Sequence, residues 1–175
     1  VNLDAVPGKA NELIARRADA VYTACDVRGH NDWQRVPPIV RASTIKHIDS
    51  AQARARFGLD PNTNTLLITG GSTGAQSINR FFVHFFDEMS ESFNGWQIIH
   101  QTGNQISEDE FNEIQSLYRR AELPAWVGRY IDDMGAAYAA ADLGIGRCGA
   151  GSVAECWAAN LPSVFFPYPY HKDQH

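Results

Sequence analysis

Glu155 stands three residues after Ser152 in GRCGAGSVAEC (146–156), behind Gly149 and Gly151. A carboxylate with free lone pairs can accept from the two neighbouring hydroxyls of a ribose at once. The same S-x-x-E spacing also writes a capping box, in which Ser152 caps a helix and Glu155 closes it. Both readings put Glu155 in the first turn of a helix. A second glycine-rich turn, in LLITGGSTGAQSINRFF (66–82), joins an apolar run to an amphipathic one. Backbone N–H groups left bare at the start of a helix suit an anion. The alternative is a tight turn whose glycines supply unusual backbone angles. The stretch matches neither the Walker pattern nor G-x-G-x-x-G. Arg41, after Ile39 and Val40, reads either as an anion contact at a domain cleft or as a solvated surface arginine. HKDQH (171–175) suggests metal ligands, but no second ligand cluster stands at a recognised spacing, so it reads as a polar loop. His100 falls in a predicted strand and reads as a core histidine with its hydrogen bonds satisfied. No Ser-His-Asp arrangement follows from spacing.

Strands and helices must hold these residues in place. The run 66–69 is short and uninterrupted, as in a strand buried on both faces. After its turn, Ile78, Phe82, Phe85 and Met89 recur at helical spacing, with Phe81 and Phe86 widening the stripe. Upstream, PGKANELIARRA starts with a proline suited to a first helical turn and carries Ala10, Leu13, Ile14 and Ala18 on one face. DAVYTAC reads as a strand, and DVRGHNDWQRVPP as a polar loop or linker, which puts a boundary near residue 40. AQARARFGL predicts a short helix ended by Gly58. WQIIHQTG is a strand running into a glycine. Ser107 and Glu110 stand at capping-box spacing ahead of Phe111, Ile114 and Leu117. AWVGRYI is a weak strand, and DDMGAAYAAA a small-residue helix capped by Asp132 or Asp133. DLGIGR is a strand, GAGSVAECWAANL a helix, and PSVFFPYP a final strand. Strands alternating with helices predict a parallel sheet covered on both faces. Ligands of such sheets bind outside the carboxyl ends of the strands, where both glycine turns fall.

Composition narrows the classes. The 175 residues carry a net charge of −5, which gives no support to a nucleic-acid footprint. No apolar run approaches the roughly 18–20 residues that span a bilayer, and no signal-peptide pattern opens the chain. Cys25, Cys148 and Cys156 are scattered with no C-x-x-C pair, so a zinc site or disulfide framework is not expected, and a reducing cytoplasm fits better. The chain opens at Val1 and closes on a polar segment after an apolar run, which reads as a piece of a longer polypeptide.

Four stretches stand in order along the chain: DAVPGKAN, GGSTGAQSIN, YIDDMGAAYAAADLGIGRCGAGSVAE and LPSVFFPYPYHKDQH. Together they resemble glycosyltransferase family 28, the MurG-like UDP-N-acetylglucosamine transferases of the GT-B superfamily. The resemblance spans essentially the whole chain, and 130–155 is its specific part. It implies an α/β fold with a Rossmann-like parallel sheet and helices on both faces. Residues 1–40 would close an N-terminal acceptor domain plus linker, and 41–175 would form most of a C-terminal nucleotide-sugar-binding domain.

The resemblance also implies residue roles. Arg41 and Ser72, with Gly71, would face the donor diphosphate, and the backbone of Ile131 would read the uracil. Ser152 would keep a diphosphate contact that the family makes with threonine, beside Gly149. Glu155 would take the ribose, Arg147 would precede the second glycine turn, and His175 would stand where a sugar-contacting glutamine is expected. Asp4 replaces an asparagine near the acceptor side. The implied reaction is inverting transfer of N-acetylglucosamine from UDP-N-acetylglucosamine to a lipid-linked acceptor in peptidoglycan synthesis, with no metal or cofactor. The catalytic base would lie in the N-terminal domain, which would also make the peripheral contact with the cytoplasmic face of the membrane. The alternatives are a related glycolipid synthase or a nucleotide-sugar-binding module that needs a separate acceptor-binding subunit.

Overall fold

The computed structural model describes residues 1–45, 48–70 and 76–167. The expectations for Gly71, Ser72 and the 171–175 segment, His175 included, lie outside those residues. Five strands form one parallel sheet: β3 (Asn64–Thr69), β4 (Trp96–Gln101), β5 (Ala125–Gly128), β6 (Leu143–Arg147) and β7 (Ser163–Phe166), in the spatial order β5-β4-β3-β6-β7. The registers Thr69↔Gln101, Gln101↔Gly128 and Thr69↔Gly146 bring four strand ends level at the carboxyl edge.

Alternation along β3 and β4 builds two cores. Leu66, Ile68 and Ile98 face α3 (Gln76–Met89) and α4 (Glu108–Arg120), where Ile78, Phe82, Phe86, Ile114, Leu117 and Tyr118 close the layer. Leu67 and Ile99 face the other way, onto α2 (Ser50–Arg56) and α5 (Met134–Ala140), with Cys156 of α6 (Ala150–Ala158) in the same cluster. This is the parallel sheet covered on both faces that the strand–helix alternation predicts, in the Rossmann-like form that the family resemblance implies. On α3 it is Phe86 that enters the core, while Met89 is largely exposed. The capping box of Ser107 and Glu110 forms, α5 is capped by Asp133, and Gly58 follows α2 with φ 68°.

Before the sheet lie α1 (Lys9–Ala15), β1 (Tyr22–Thr23) and β2 (Gln34–Arg35). β2 pairs parallel to β1 from inside the stretch predicted as a loop, through backbone bonds that its polar side chains do not announce. Pro7 precedes the helix instead of sitting in its first turn: Gly8 is the N-cap of α1. Leu13 and Ile14, on the predicted apolar face of α1, are exposed.

The amino end of the sheet is tied shut by polar bonds. Gln97 is buried and bonds Asp60, Thr63 and Thr65. Arg54 donates to the carbonyls of Ala140 and Pro61 and to Asp142, which in turn accepts from the Thr65 amide. His100 bonds Tyr118 through Nδ1 at 2.8 Å and Asn79 through Nε2 at 3.2 Å, as expected of a core histidine. Burial lowers its pKa to about 3, so it is neutral. The carboxyl end is where the structure opens.

Candidate functional site at the carboxyl edge of the sheet

A cleft at that end is lined by Thr69 of β3, Gln101 of β4, Tyr130 and Ile131 after β5, Met134 and Tyr138 of α5, Gly151, Ser152 and Glu155 of α6, and Arg41. Four residues singled out in the sequence therefore converge: Arg41, Ile131, Ser152 and Glu155. Three devices deliver them, α6 carrying both Ser152 and Glu155. The loop carrying Ile131 is held by Arg129, which donates to the Ile106 carbonyl at 2.6 Å and to Glu108 at 2.6 Å and lies over the Phe111 ring. Gly103 donates to the Arg129 carbonyl at 3.1 Å. Residues 41–45 are seated on α5 because Gly135 has no side chain: a Cβ there would overlap the Ser43 carbonyl. A turn bond from the Thr44 amide to the Arg41 carbonyl holds that segment's shape.

The capping box predicted from Ser152 and Glu155 does not form. α6 begins at Ala150 with Gly149 as an N-cap that has no side-chain bond, so Glu155 falls in the second turn. Its carboxylate points across to α5 and to Arg41. Arg41 donates from Nε to Oε1 at 2.6 Å and from Nη2 to Oε2 at 2.7 Å, a bidentate pair. The Arg41 amide reaches Oε1 at 3.4 Å, and the Tyr138 hydroxyl donates to Oε2 at 3.1 Å. The two partners differ in freedom: the Glu155 side chain is 7% exposed and that of Arg41 52%. Burial alone pushes the Glu155 carboxyl up, but the bonds and charge of Arg41, with the Tyr138 hydroxyl, hold it below the usual glutamate range. Arg41 is raised in turn, chiefly by its bonds to Glu155. Burial and then the Glu155 charge push the Tyr138 phenol up, so it stays protonated and donates.

Arg147 is placed differently. It bonds the Pro167 carbonyl at 3.0 Å and the Ser77 hydroxyl, tying the end of β7 to α3. The N-terminus of α6 faces the cleft through Gly151 and Ser152, which supplies amides and a partial positive charge. Tyr138, Gln101, Thr69 and Tyr130 were not singled out from the sequence. The one available signal for Tyr138 was a large polar side chain in a helix otherwise built of Met, Gly and Ala. Gln101 accepts from the Thr69 hydroxyl at 2.7 Å, which orients its carboxamide on the cleft floor. No cluster of three or more His, Cys, Asp or Glu side chains stands together as a metal cage among the described residues. Among them, too, no helix is long and apolar enough to cross a membrane.

Residues 65–175 match the model of the glycosyltransferase family 28 C-terminal domain. The chain belongs to glycosyltransferase family 28. Among similar curated proteins, one from Protochlamydia amoebophila is 34% identical over 98% of the chain and 46% of its own length. One from Streptomyces collinus is 37% identical over 95% of the chain and 45% of its own length. One from Chlorobium phaeobacteroides is 41% identical over 73% of the chain and 33% of its own length. All three are named UDP-N-acetylglucosamine--N-acetylmuramyl-(pentapeptide) pyrophosphoryl-undecaprenol N-acetylglucosamine transferase. The crystal structure of Acinetobacter baumannii MurG superposes with a TM-score of 0.72 at 28% identity, over 99% of the chain and 46% of that protein. A glycosyltransferase of kitacinnamycin, at 16% identity and a TM-score of 0.56, shares the fold. This family 28 chain thus spans less than half the length of each of these relatives.

Proposed function

We propose that the protein works as the nucleotide-sugar side of a MurG-like enzyme. The reaction is transfer of N-acetylglucosamine, with inversion, from UDP-N-acetylglucosamine to a lipid-linked acceptor, the undecaprenyl-diphospho-MurNAc-pentapeptide of peptidoglycan synthesis. The observation that carries this reading is the convergence of Arg41, Ile131, Ser152 and Glu155 on one cleft at the carboxyl ends of a parallel sheet. In it, Glu155 accepts from the ribose hydroxyls, the backbone at Ile131 meets the uracil, and Arg41, Ser152 and the α6 amides surround the diphosphate. Gly71, Ser72, Gly149, Arg147 and His175 complete the set implied by family resemblance.

The chemistry asked of these residues is electrostatic. As the bond from sugar to phosphate breaks, negative charge grows on the departing UDP. With the donor bound, the Arg41 guanidinium and the helix amides held against that charge stabilise it. Membrane contact, peripheral and on the cytoplasmic face, belongs to the acceptor side of the enzyme. The test is a calorimetric screen with UDP, UDP-N-acetylglucosamine, UDP-glucose and GDP. UDP and UDP-N-acetylglucosamine bind, UDP-glucose binds more weakly than the N-acetyl sugar, and GDP does not bind. Equal affinity for GDP and UDP overturns the assignment.

A further inference from the structure

The inference rests on the donor-site reading and concerns what the cleft holds before a donor arrives. Both oxygens of Glu155 already carry strong donors: Arg41 Nε at 2.6 Å on Oε1, and Arg41 Nη2 at 2.7 Å and the Tyr138 hydroxyl at 3.1 Å on Oε2. A ribose that approaches this carboxylate finds a guanidinium in its seat. The three side chains are not equally able to yield. Tyr138 is 4% exposed in a helix packed against the sheet, and the Glu155 side chain is 7% exposed, whereas that of Arg41 is 52% exposed on a segment outside any helix or strand. Arg41 is therefore the partner that leaves, and Tyr138 the one that keeps the carboxylate aimed.

A guanidinium that leaves a carboxylate in a half-buried site needs another anion, or it forfeits two charge-assisted bonds. The N-terminus of α6, a few residues before Glu155 on the same helix and lining the same cleft, is where a diphosphate would lie. We propose that Arg41 and the donor's ribose compete for Glu155, so that the cleft opens to a uridine only when the ligand brings a diphosphate for Arg41 to take instead. Before binding, Arg41 pairs with Glu155. After binding, Arg41 pairs with the diphosphate, Glu155 accepts the two hydroxyls, and Tyr138 stays in place. No covalent bond is made or broken. The exchange makes Arg41 a specificity determinant against nucleosides as well as a contact for the diphosphate.

Calorimetry with uridine and with UDP on the full chain separates these roles. The wild type favours UDP strongly. In Arg41→Met the seat is vacant, so uridine binds about tenfold tighter than to the wild type, the scale of the charge-assisted bonds it no longer displaces, while UDP binds more weakly. Arg41→Lys cannot form the bidentate pair. It also gains affinity for uridine, but keeps more of its affinity for UDP, and it serves if the methionine variant melts early. If uridine affinity is unchanged or lower in both variants while UDP affinity falls, the donor site stands and the exchange is overturned. If the wild type binds no UDP, the donor-site reading itself fails, and the exchange with it.

Discussion

A carboxylate as buried as Glu155 survives ionised because Arg41 and Tyr138 give both its oxygens donors. Half of this was legible. Glu155 announced itself by its spacing from Ser152 and the glycines, but its partners lie 114 and 17 residues away along the chain, and periodicity carries nothing about them. That both oxygens carry donors was hidden for that reason, and the capping-box reading fails because Gly149 starts the helix earlier. Tyr138→Phe removes one bond to a charged, buried acceptor and costs about 1–2 kcal/mol in urea unfolding at pH 7. Because the Glu155 carboxyl is held below its ordinary range in the fold, its contribution is complete above an unfolded value of roughly 4.3 and is lost as pH falls through the folded value. Without Tyr138 the folded value rises toward the unfolded one, so less stability is lost on acidification and the loss ends at higher pH. Unchanged stability at pH 7 together with an unchanged loss between about pH 5 and pH 2 contradicts this account. His100 adds a second acid liability. Its folded pKa is about 3, below the ordinary value of 6.5, so folding requires the neutral ring. Stability from this group is complete above pH 6.5 and declines as pH falls toward 3, by up to roughly 1.4 kcal/mol per pH unit. Replacing His100 with Gln flattens the fall in urea midpoint between pH 6 and pH 5; a slope equal to the wild type's refutes the assignment.

At the scale of elements, the sequence was clearest where burial repeats. The strands at 66–69 and 96–101 were visible as short apolar runs ending in glycine turns, and the helices after them because Ile, Phe and Leu recur at helical spacing. β2 was hidden because Gln34 and Arg35 are both exposed and pair through the backbone alone. How residues 41–45 are laid against α5 was hidden too, since it depends on the missing side chain of Gly135 and not on any pattern in the segment itself. That contact yields a prediction. In Gly135→Ala the new Cβ meets the backbone of Ser43, which cannot rotate away, so the segment must shift and carry Arg41 off Glu155. The cost is about 1–3 kcal/mol of stability, as for other overpacked contacts. Gly151, also helical but with open space around its Cβ position, serves as the control. Gly151→Ala gains up to about 1 kcal/mol in thermal unfolding because alanine is the better helix former. Equal effects at the two positions refute the packing account.

For the whole molecule, the sheet order puts the loop after β5 at one end of the cleft and α6, after β6, at the other, with the ends of β4 and β3 between them. That arrangement suits an elongated ligand whose base, ribose and diphosphate lie across the strand ends. It does not by itself supply the proton transfer that glycosyl transfer to a hydroxyl requires. A general base needs a pKa near the working pH and an unoccupied lone pair. Glu155 is the sole carboxylate among the described residues lining the cleft; its pKa is held down and its oxygens are occupied. Tyr138 is pushed the other way and stays protonated. Arginine is not a base at any relevant pH. The relatives that share the family's C-terminal domain carry more chain than this one, which spans 46% of the Protochlamydia protein and 46% of Acinetobacter baumannii MurG. A polypeptide of these 175 residues, purified alone, is therefore expected to bind UDP and UDP-N-acetylglucosamine yet to transfer no sugar to a soluble analogue of the lipid acceptor. Mass spectrometry of the acceptor after overnight incubation reads the outcome against a blank without protein. A glycosylated product above that blank places the base within the 175 residues and overturns this expectation.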